Sequence, residues 1–177
     1  MIIGLSGYAQ SGKDEVAKYL CGEHAFKRFA FADPIRTAVY SLNPLVDGEL
    51  RVRDVVDKQD WDVAKQLPEV RRLLQAMGAE VGRAQFGDEF WVVAALSQMF
   101  NTPKAVFTDV RFPNEAKAIT DMGGVVVRII RPNVKPVNDH ESEVAMDRYD
   151  FDGTILNNGT VEELHKEVER ILRLFKQ

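Results

Sequence analysis

The stretch Gly7-Tyr8-Ala9-Gln10-Ser11-Gly12-Lys13-Asp14 constrains this chain more than any other. A short apolar run, Met1 to Ser6, precedes it and reads as a buried strand. Val16, Ala17, Leu20 and Cys21 follow at helical spacing. Strand, glycine loop and helix in that order fit G-x-x-x-x-G-K, a pattern that becomes specific only in this context. Its glycines let successive backbone N–H groups curl around an anion, with the positive end of the next helix facing the same point. Lys13 reaches the outer phosphates of such a ligand. Asp14 stands where Ser or Thr is usual. A carboxylate there can hold Mg²⁺ directly or through water, because the ion prefers oxygen ligands and keeps several waters. It can equally serve the helix start, where acids are favoured.

The remaining composition narrows the field. A chain of 177 residues is long enough for one domain with a sizeable core. A net charge of −4 gives no general electrostatic case for nucleic acid or membrane surfaces. The single cysteine, Cys21, excludes an internal disulfide and a cysteine-based zinc cluster, and is expected to be buried in the first helix. The N-terminal apolar run is too short for a signal peptide, and no stretch is long enough to span a bilayer. The expected compartment is the cytoplasm.

Along the chain, Phe26 to Phe31 reads as a second strand. Asp33 is the expected N-cap of a helix with Pro34 at its first position and Ile35, Val39 and Leu42 inward. Asp33 is either that cap alone or part of a site with Arg36. Val46-Asp47-Gly48 is a turn, and Arg51 to Lys65 carries a short amphipathic helix. From Pro68 a stronger helix buries Val70, Leu73, Leu74, Met77 and Val81, flanked by Arg72, Gln75 and Arg83. Glu89 to Phe100 forms another helix, containing Trp91. Ala105 to Asp109 is a short strand ending in an acid, and Arg111 follows two residues later. Pro113 to Met122 is helical. Val125 to Ile130 is hydrophobic except for Arg128 and suits a strand covered on both faces. A loop follows from Arg131, then a last strand at Ile155–Asn157 and a helix capped by Thr160. Strands alternating with helices predict an α/β fold, a parallel sheet with helices on both faces. Ligands of such sheets lie at the carboxyl ends of the strands. The glycine loop, Asp33, Asp109 with Arg111, the 131–143 loop and Asn157-Asn158 all fall at those ends.

Gly7 to Asp14, Phe31-Ala32-Asp33-Pro34-Ile35-Arg36, Gln75-x-x-Gly78-x-Glu80-x-x-Arg83, Asp109-Val110-Arg111-Phe112-Pro113-Asn114-Glu115, His140-x-Ser142-Glu143 and Asn157-Asn158-Gly159-Thr160 together resemble the deoxynucleoside monophosphate kinases of bacteriophages. The likeness runs almost end to end. It implies a P-loop kinase fold with a five-stranded parallel sheet and a single domain over 1–177. The core would be 1–32, 104–130 and 150–177, with a helical acceptor-binding region at 33–103 and a lid at 131–149. It implies transfer of the ATP γ-phosphoryl group to a deoxynucleoside monophosphate with Mg²⁺. The acceptor phosphate is already an anionic nucleophile, so catalysis is mainly positioning and charge neutralisation.

On this resemblance Ala9, Gln10, Ser11, Gly12, Lys13, Asp14 and Glu15 bind ATP, and Asn157, Asn158 and Gly159 lie against its adenine. Asp14 and Asp109 hold the metal or its waters. Lys13, Arg111 and Arg131 carry the transfer, Arg131 from the lid. Asp33, Arg36, Arg72, Gln75, Arg83, Trp91 and Arg111 hold the acceptor, with guanidinium forks on its phosphate and Gln75 and Trp91 on its base. A homodimer is compatible with it; nucleic acid and membrane partners are not expected, and a phage-encoded chain would act in the host cytoplasm. Two other classes stay open. One is a related small-molecule kinase of the dephospho-coenzyme A or phosphomevalonate type. The other is a non-enzymatic nucleotide switch, against which stands the lack of an Asn-Lys-x-Asp guanine-reading motif.

The loop backbone shapes itself without the lysine side chain. Lys13→Ala is therefore expected to fold normally and to lose roughly 10² to 10³ in phosphoryl-transfer rate. Steady-state turnover of the folded variant is the check, and near-normal turnover would remove Lys13 from the chemistry.

Overall fold

The computed structural model describes residues 1–136 and 144–175. The chain divides into two compact units, Met1–Ala30 with Met99–Gln177, and Phe31–Gln98. Elements are numbered along the whole chain.

The first unit contains β1 (Ile2–Ser6), α1 (Lys13–His24), β2 (Lys27–Phe29), β5 (Ala105–Phe107), α7 (Pro113–Asp121), β6 (Val125–Ile130), β7 (Gly153–Leu156) and α8 (Val161–Leu174). Its five strands run in the order β2-β5-β1-β6-β7 and every neighbouring pair is parallel. The register is set by Ile2 opposite Ala105, Ser6 opposite Arg128 and Arg128 opposite Thr154. The five-stranded parallel sheet expected from the sequence is therefore present.

Ile3 and Leu5 of β1, with Val106, Val127, Ile129 and Ile155 of its neighbours, form one buried face. It packs on Val16, Ala17 and Leu20 of α1 and on Leu164, Val168 and Ile171 of α8. Gly4 alternates to the opposite face, where a Cβ would collide with Ile119 of α7. Helices thus cover both faces, and this is why β6 shows an almost unbroken apolar run: Val126 and Val127 are both fully buried. Cys21 is half-buried, and burial pushes its thiol pKa up. Thr160 and Glu163 close the start of α8 reciprocally, each side chain accepting from the other's backbone N–H. No helix among the described residues is long and apolar enough to cross a membrane.

The second unit begins with α2 (Asp33–Leu42). Asp33 is its first residue rather than its cap, and Leu42, expected inward, is 69% exposed because the helix ends there on a left-handed Asn43. Where a bare turn was expected, β3 (Leu45–Asp47) and β4 (Leu50–Arg51) form a small antiparallel hairpin around Gly48. α3 (Val52–Ala64) is interrupted at Asp60, whose φ of 62° and ψ of −179° are strained for a residue with a side chain. The Asp60 carboxylate compensates by accepting from the backbone N–H groups of Asp62 and Val63.

The helix expected from Pro68 is three segments: α4 (Pro68–Gln75), a π-helical stretch (Ala76–Arg83) and the single turn α5 (Ala84–Phe86). The wider i→i+5 bonding shifts the helical phase. Val70 remains fully buried, whereas Val81, expected on the same stripe, is 43% exposed. α6 (Phe90–Ser97) closes the unit, and Trp91 packs so tightly on Gly82 that no Cβ fits there.

Gly82→Ala would drive a methyl group into the Trp91 indole. A destabilisation of about 1–3 kcal/mol is expected, read as a lower chemical-denaturation midpoint with Trp91 fluorescence as a local probe. An unchanged midpoint would show that the indole can move aside.

Candidate active site

β1 is central, and the connections leaving it and its neighbours diverge at its carboxyl end. This is the switch point at which open parallel sheets bind ligands. The glycine loop occupies it. Gly7 has a φ of 144°, and a side chain there would strike the Ile129 carbonyl and the Ser11 hydroxyl. Gly12 is the N-cap of α1 in the left-handed region, with φ 105°, and has no side chain to close the helix start. The first-turn N–H groups of α1 thus face the loop interior. Asn157, just beyond β7, donates from its side-chain amide to the Ser11 carbonyl at 2.9 Å and fills the space a Cβ on Gly12 would need. Asn158 and Gly159 are exposed at the turn before α8.

Lys13 curls back over the loop mouth, its ammonium donating to the Gly7 and Tyr8 carbonyls at 2.7 Å each. The Ser11 hydroxyl is buried and has no hydrogen-bond partner among the described residues. A buried polar atom of this kind is costly unless something occupies the space beside it. Ala9 is half-buried, while Gln10, at a φ of 63°, and Asp14 are exposed. The Glu15 carboxylate points to His165 at 2.9 Å. His165 in turn stacks on Tyr19 with ring centroids 4.0 Å apart.

Asp109 lies two residues past β5, half-buried on the same sheet edge as Asp14. No group of three acidic, histidine or cysteine side chains that could cage a metal exists among the described residues. Two carboxylates beside a phosphate site suit Mg²⁺, which commonly takes one or two protein carboxylates and completes its shell with phosphate oxygens and water.

Arg111 is exposed and lines a cavity with Ser6, Gly7, Tyr8, Arg128 and Asp147. Its backbone is fixed from below. The buried Glu115 carboxylate accepts the N–H groups of Arg111 at 2.7 Å and Phe112 at 3.0 Å. Arg131 reaches toward the Gln10 carbonyl at 3.5 Å and borders a second cavity of about 350 Å³ that Ser11, Tyr149 and Phe151 also line. His140, Ser142 and Glu143 lie outside the described residues.

Three residues of this unit were not singled out as site residues from the sequence: Tyr8, Arg128 and Asp147. The Tyr8 hydroxyl and an Arg128 Nη both donate to one Asp147 oxygen at 2.7 Å. Burial opposes the Asp147 charge, but these two hydrogen bonds hold its pKa below the ordinary carboxylate value. The same contact raises the Tyr8 pKa. The available signal was Arg128 itself, an arginine inside an otherwise apolar strand.

In the second unit a cavity of about 480 Å³ is lined by Arg36, Gln75, Lys65, Gln66, Arg71 and Asp62, with Ile35 and Leu74 as apolar walls. Arg36 is steadied by Asp33 at 3.2 Å. Arg71 stands in this cavity and Arg72 does not. Arg72 forms a two-pronged ion pair with Glu69 at 2.6 and 2.8 Å on the exposed side of α4, and that hydrogen bonding lowers the Glu69 pKa. Arg83 is half-buried at the end of the π-helical stretch, apart from the residues lining the cavity. Trp91 offers no face to a base. It is 8% exposed, lies edge-on to Phe90, and donates its indole N–H to the Gly78 carbonyl at 3.0 Å.

Residues 45–168 match the family model described as deoxynucleotide monophosphate kinase. The chain belongs to that family. A homologue in Acanthamoeba polyphaga mimivirus, named by inference for the same activity, is 29% identical over 95% of this chain and 94% of its own. The deoxynucleoside-5'-monophosphate kinase of Escherichia phage T5 is 25% identical over 81% of this chain and 84% of its own. The deoxynucleotide monophosphate kinase of Enterobacteria phage T4 is 29% identical over 72% of this chain, which spans only 56% of that protein's length.

Because Glu115 fixes the backbone from which Arg111 projects, Glu115→Ala is expected to cost about 1–3 kcal/mol of stability through two stranded N–H groups. It should also lower kcat/KM at least fivefold, while Glu115→Gln, which keeps an acceptor oxygen, is milder on both. Thermal unfolding and turnover measured side by side check this. Turnover of the Ala variant equal to wild type would separate Glu115 from the site.

Proposed function

We propose that this protein transfers the γ-phosphoryl group of ATP to a deoxynucleoside monophosphate, giving ADP and a deoxynucleoside diphosphate. The observation that carries the reading is the loop at the switch point. Lys13 sits at its mouth, an orphaned Ser11 hydroxyl lies within it, and Arg111 and Arg128 share the adjoining cavity. Family membership supplies the acceptor class.

In this reading the loop N–H groups and Lys13 hold the ATP phosphates, and binding draws Lys13 off the Gly7 and Tyr8 carbonyls. Asp14 and Asp109 would hold Mg²⁺, which when bound neutralises charge across the outer phosphates. Arg111 stabilises charge on the transferring group, and Arg131 approaches the loop from beyond β6. Asn158 and Gly159 bear on the adenine. In the second unit Arg36 and Arg71 hold the monophosphate, because guanidinium forks match phosphate oxygens, and Gln75 meets the base. No strong general base is required, since the attacking oxygen is already anionic. The chain's own contribution is orientation and preformed positive potential.

The decisive assay is coupled ADP release across deoxy- and ribonucleoside monophosphates, dephospho-coenzyme A and phosphomevalonate. A deoxynucleoside monophosphate is expected to be the best acceptor, and a higher kcat/KM for either non-nucleotide would sink the reading.

The geometry also separates two adjacent arginines. Arg71→Gln is expected to raise the KM for the monophosphate at least tenfold, about 1.4 kcal/mol. Arg72→Gln should change it less than threefold, because Arg72 is held on the exposed face by Glu69. Equal effects, or the reverse order, would return the phosphate role to Arg72.

A further inference from the structure

Arg128 occupies a position that needs explaining. A guanidinium inside a parallel strand is unfavourable unless its charge is answered. Here it is sandwiched between two aromatic rings, Tyr8 at 5.4 Å and Phe151 at 5.2 Å. One Nη is tied to the Met146 carbonyl at 3.0 Å. The other donates to Asp147 at 2.7 Å, onto the oxygen that also receives the Tyr8 hydroxyl. The side chain is only 17% exposed, yet Arg128, Tyr8 and Asp147 line both cavities at this edge, the one with Arg111 and the one with Ser11 and Arg131. Two strong donors, one from the glycine loop and one from the strand beside it, therefore converge on a single anionic oxygen where the two cavities meet.

We propose that this oxygen is a placeholder. Arg128 is a further phosphate-binding residue of the site, and the Asp147 carboxylate occupies one Nη of its guanidinium and the Tyr8 hydroxyl until a ligand phosphate displaces it. A phosphate brings more acceptor oxygens and more charge than one carboxylate, so it takes over both donors favourably. The rings of Tyr8 and Phe151 and the Met146 carbonyl keep the guanidinium aimed throughout the exchange. Asp147 then sets a threshold for anion entry, and removing its charge leaves Arg128 uncompensated and the site more attractive to anions. The inference takes from the kinase reading only the nature of the anion.

Calorimetric titration with inorganic pyrophosphate, without nucleotide, tests it. Asp147→Asn keeps the shape and removes the charge, and is expected to bind pyrophosphate at least threefold more tightly than wild type. Arg128→Lys keeps the charge and loses the planar guanidinium that is anchored on Met146 and aimed with its other Nη, and should bind at least tenfold more weakly. If Asp147 is only a strut, Asp147→Asn will lower the melting temperature and leave pyrophosphate affinity unchanged or weaker, which overturns the proposal. So would wild-type affinity in Arg128→Lys. A protein that binds pyrophosphate in the expected order but turns over no monophosphate would overturn the kinase reading and leave this one standing.

Discussion

The close approach of Gly7 to the backbone of β6 is the constraint from which the first unit's chemistry follows. The loop can descend onto the Ile129 carbonyl only because position 7 carries no side chain. That descent puts Ser11 beneath the loop and brings Asn157, from the far side of β6, within reach of the Ser11 carbonyl. The loop is therefore held on two sides, by strand pairing below and by an amide beyond β7. A loop fixed before its ligand arrives does not have to be ordered at the moment of binding, which is where preorganised sites gain affinity.

The cations of the two units each rest on an oxygen partner. Lys13 rests on carbonyl oxygens, Arg128 on Asp147, Arg36 on Asp33 and Arg72 on Glu69. These pairs are not equivalent. The exposed Arg72–Glu69 pair is screened by solvent and contributes little. Arg128 is held over two rings and is only 17% exposed, although Asp147 is as open as Glu69, so the difference between the pairs lies on the guanidinium side. Which arginine serves the chemistry is a question of where its guanidinium is held, and a sequence does not record that.

Much of the sheet was legible, because hydrophobic runs, breakers and the glycine loop report on local backbone directly. The β1 loop, the doubly covered β6 and the Thr160 cap are of this kind. The helical unit was less so. A uniform α-helical phase through residues 68–83 places Arg72 and Val81 by simple counting, and the π-helical stretch invalidates the count after Gln75. Arg71 and Arg72 differ by one step of about 100° around α4, more than side-chain pattern alone resolves between two identical residues. The resemblance implies a base contact for Trp91, whereas the absent Cβ of Gly82 that receives its ring acts only in three dimensions. Glu115 is visible in the sequence, but its role in fixing the Arg111 backbone appears only when the turn closes.

The π-helical stretch at Ala76–Arg83 bears on how this unit can diverge in length. A π turn holds one residue more than the α turn it replaces, so it is the place where a helix absorbs a single-residue insertion without breaking. Losing one residue there would restore regular winding and leave the flanking turns in phase, whereas the same loss within α4 would rotate the rest of that helix by about 100°. Gaps of one residue between this chain and its relatives are therefore tolerable at 76–83 in a way they are not within α4. An alignment that forces such a gap elsewhere would pair the wrong side chains across the whole cavity wall.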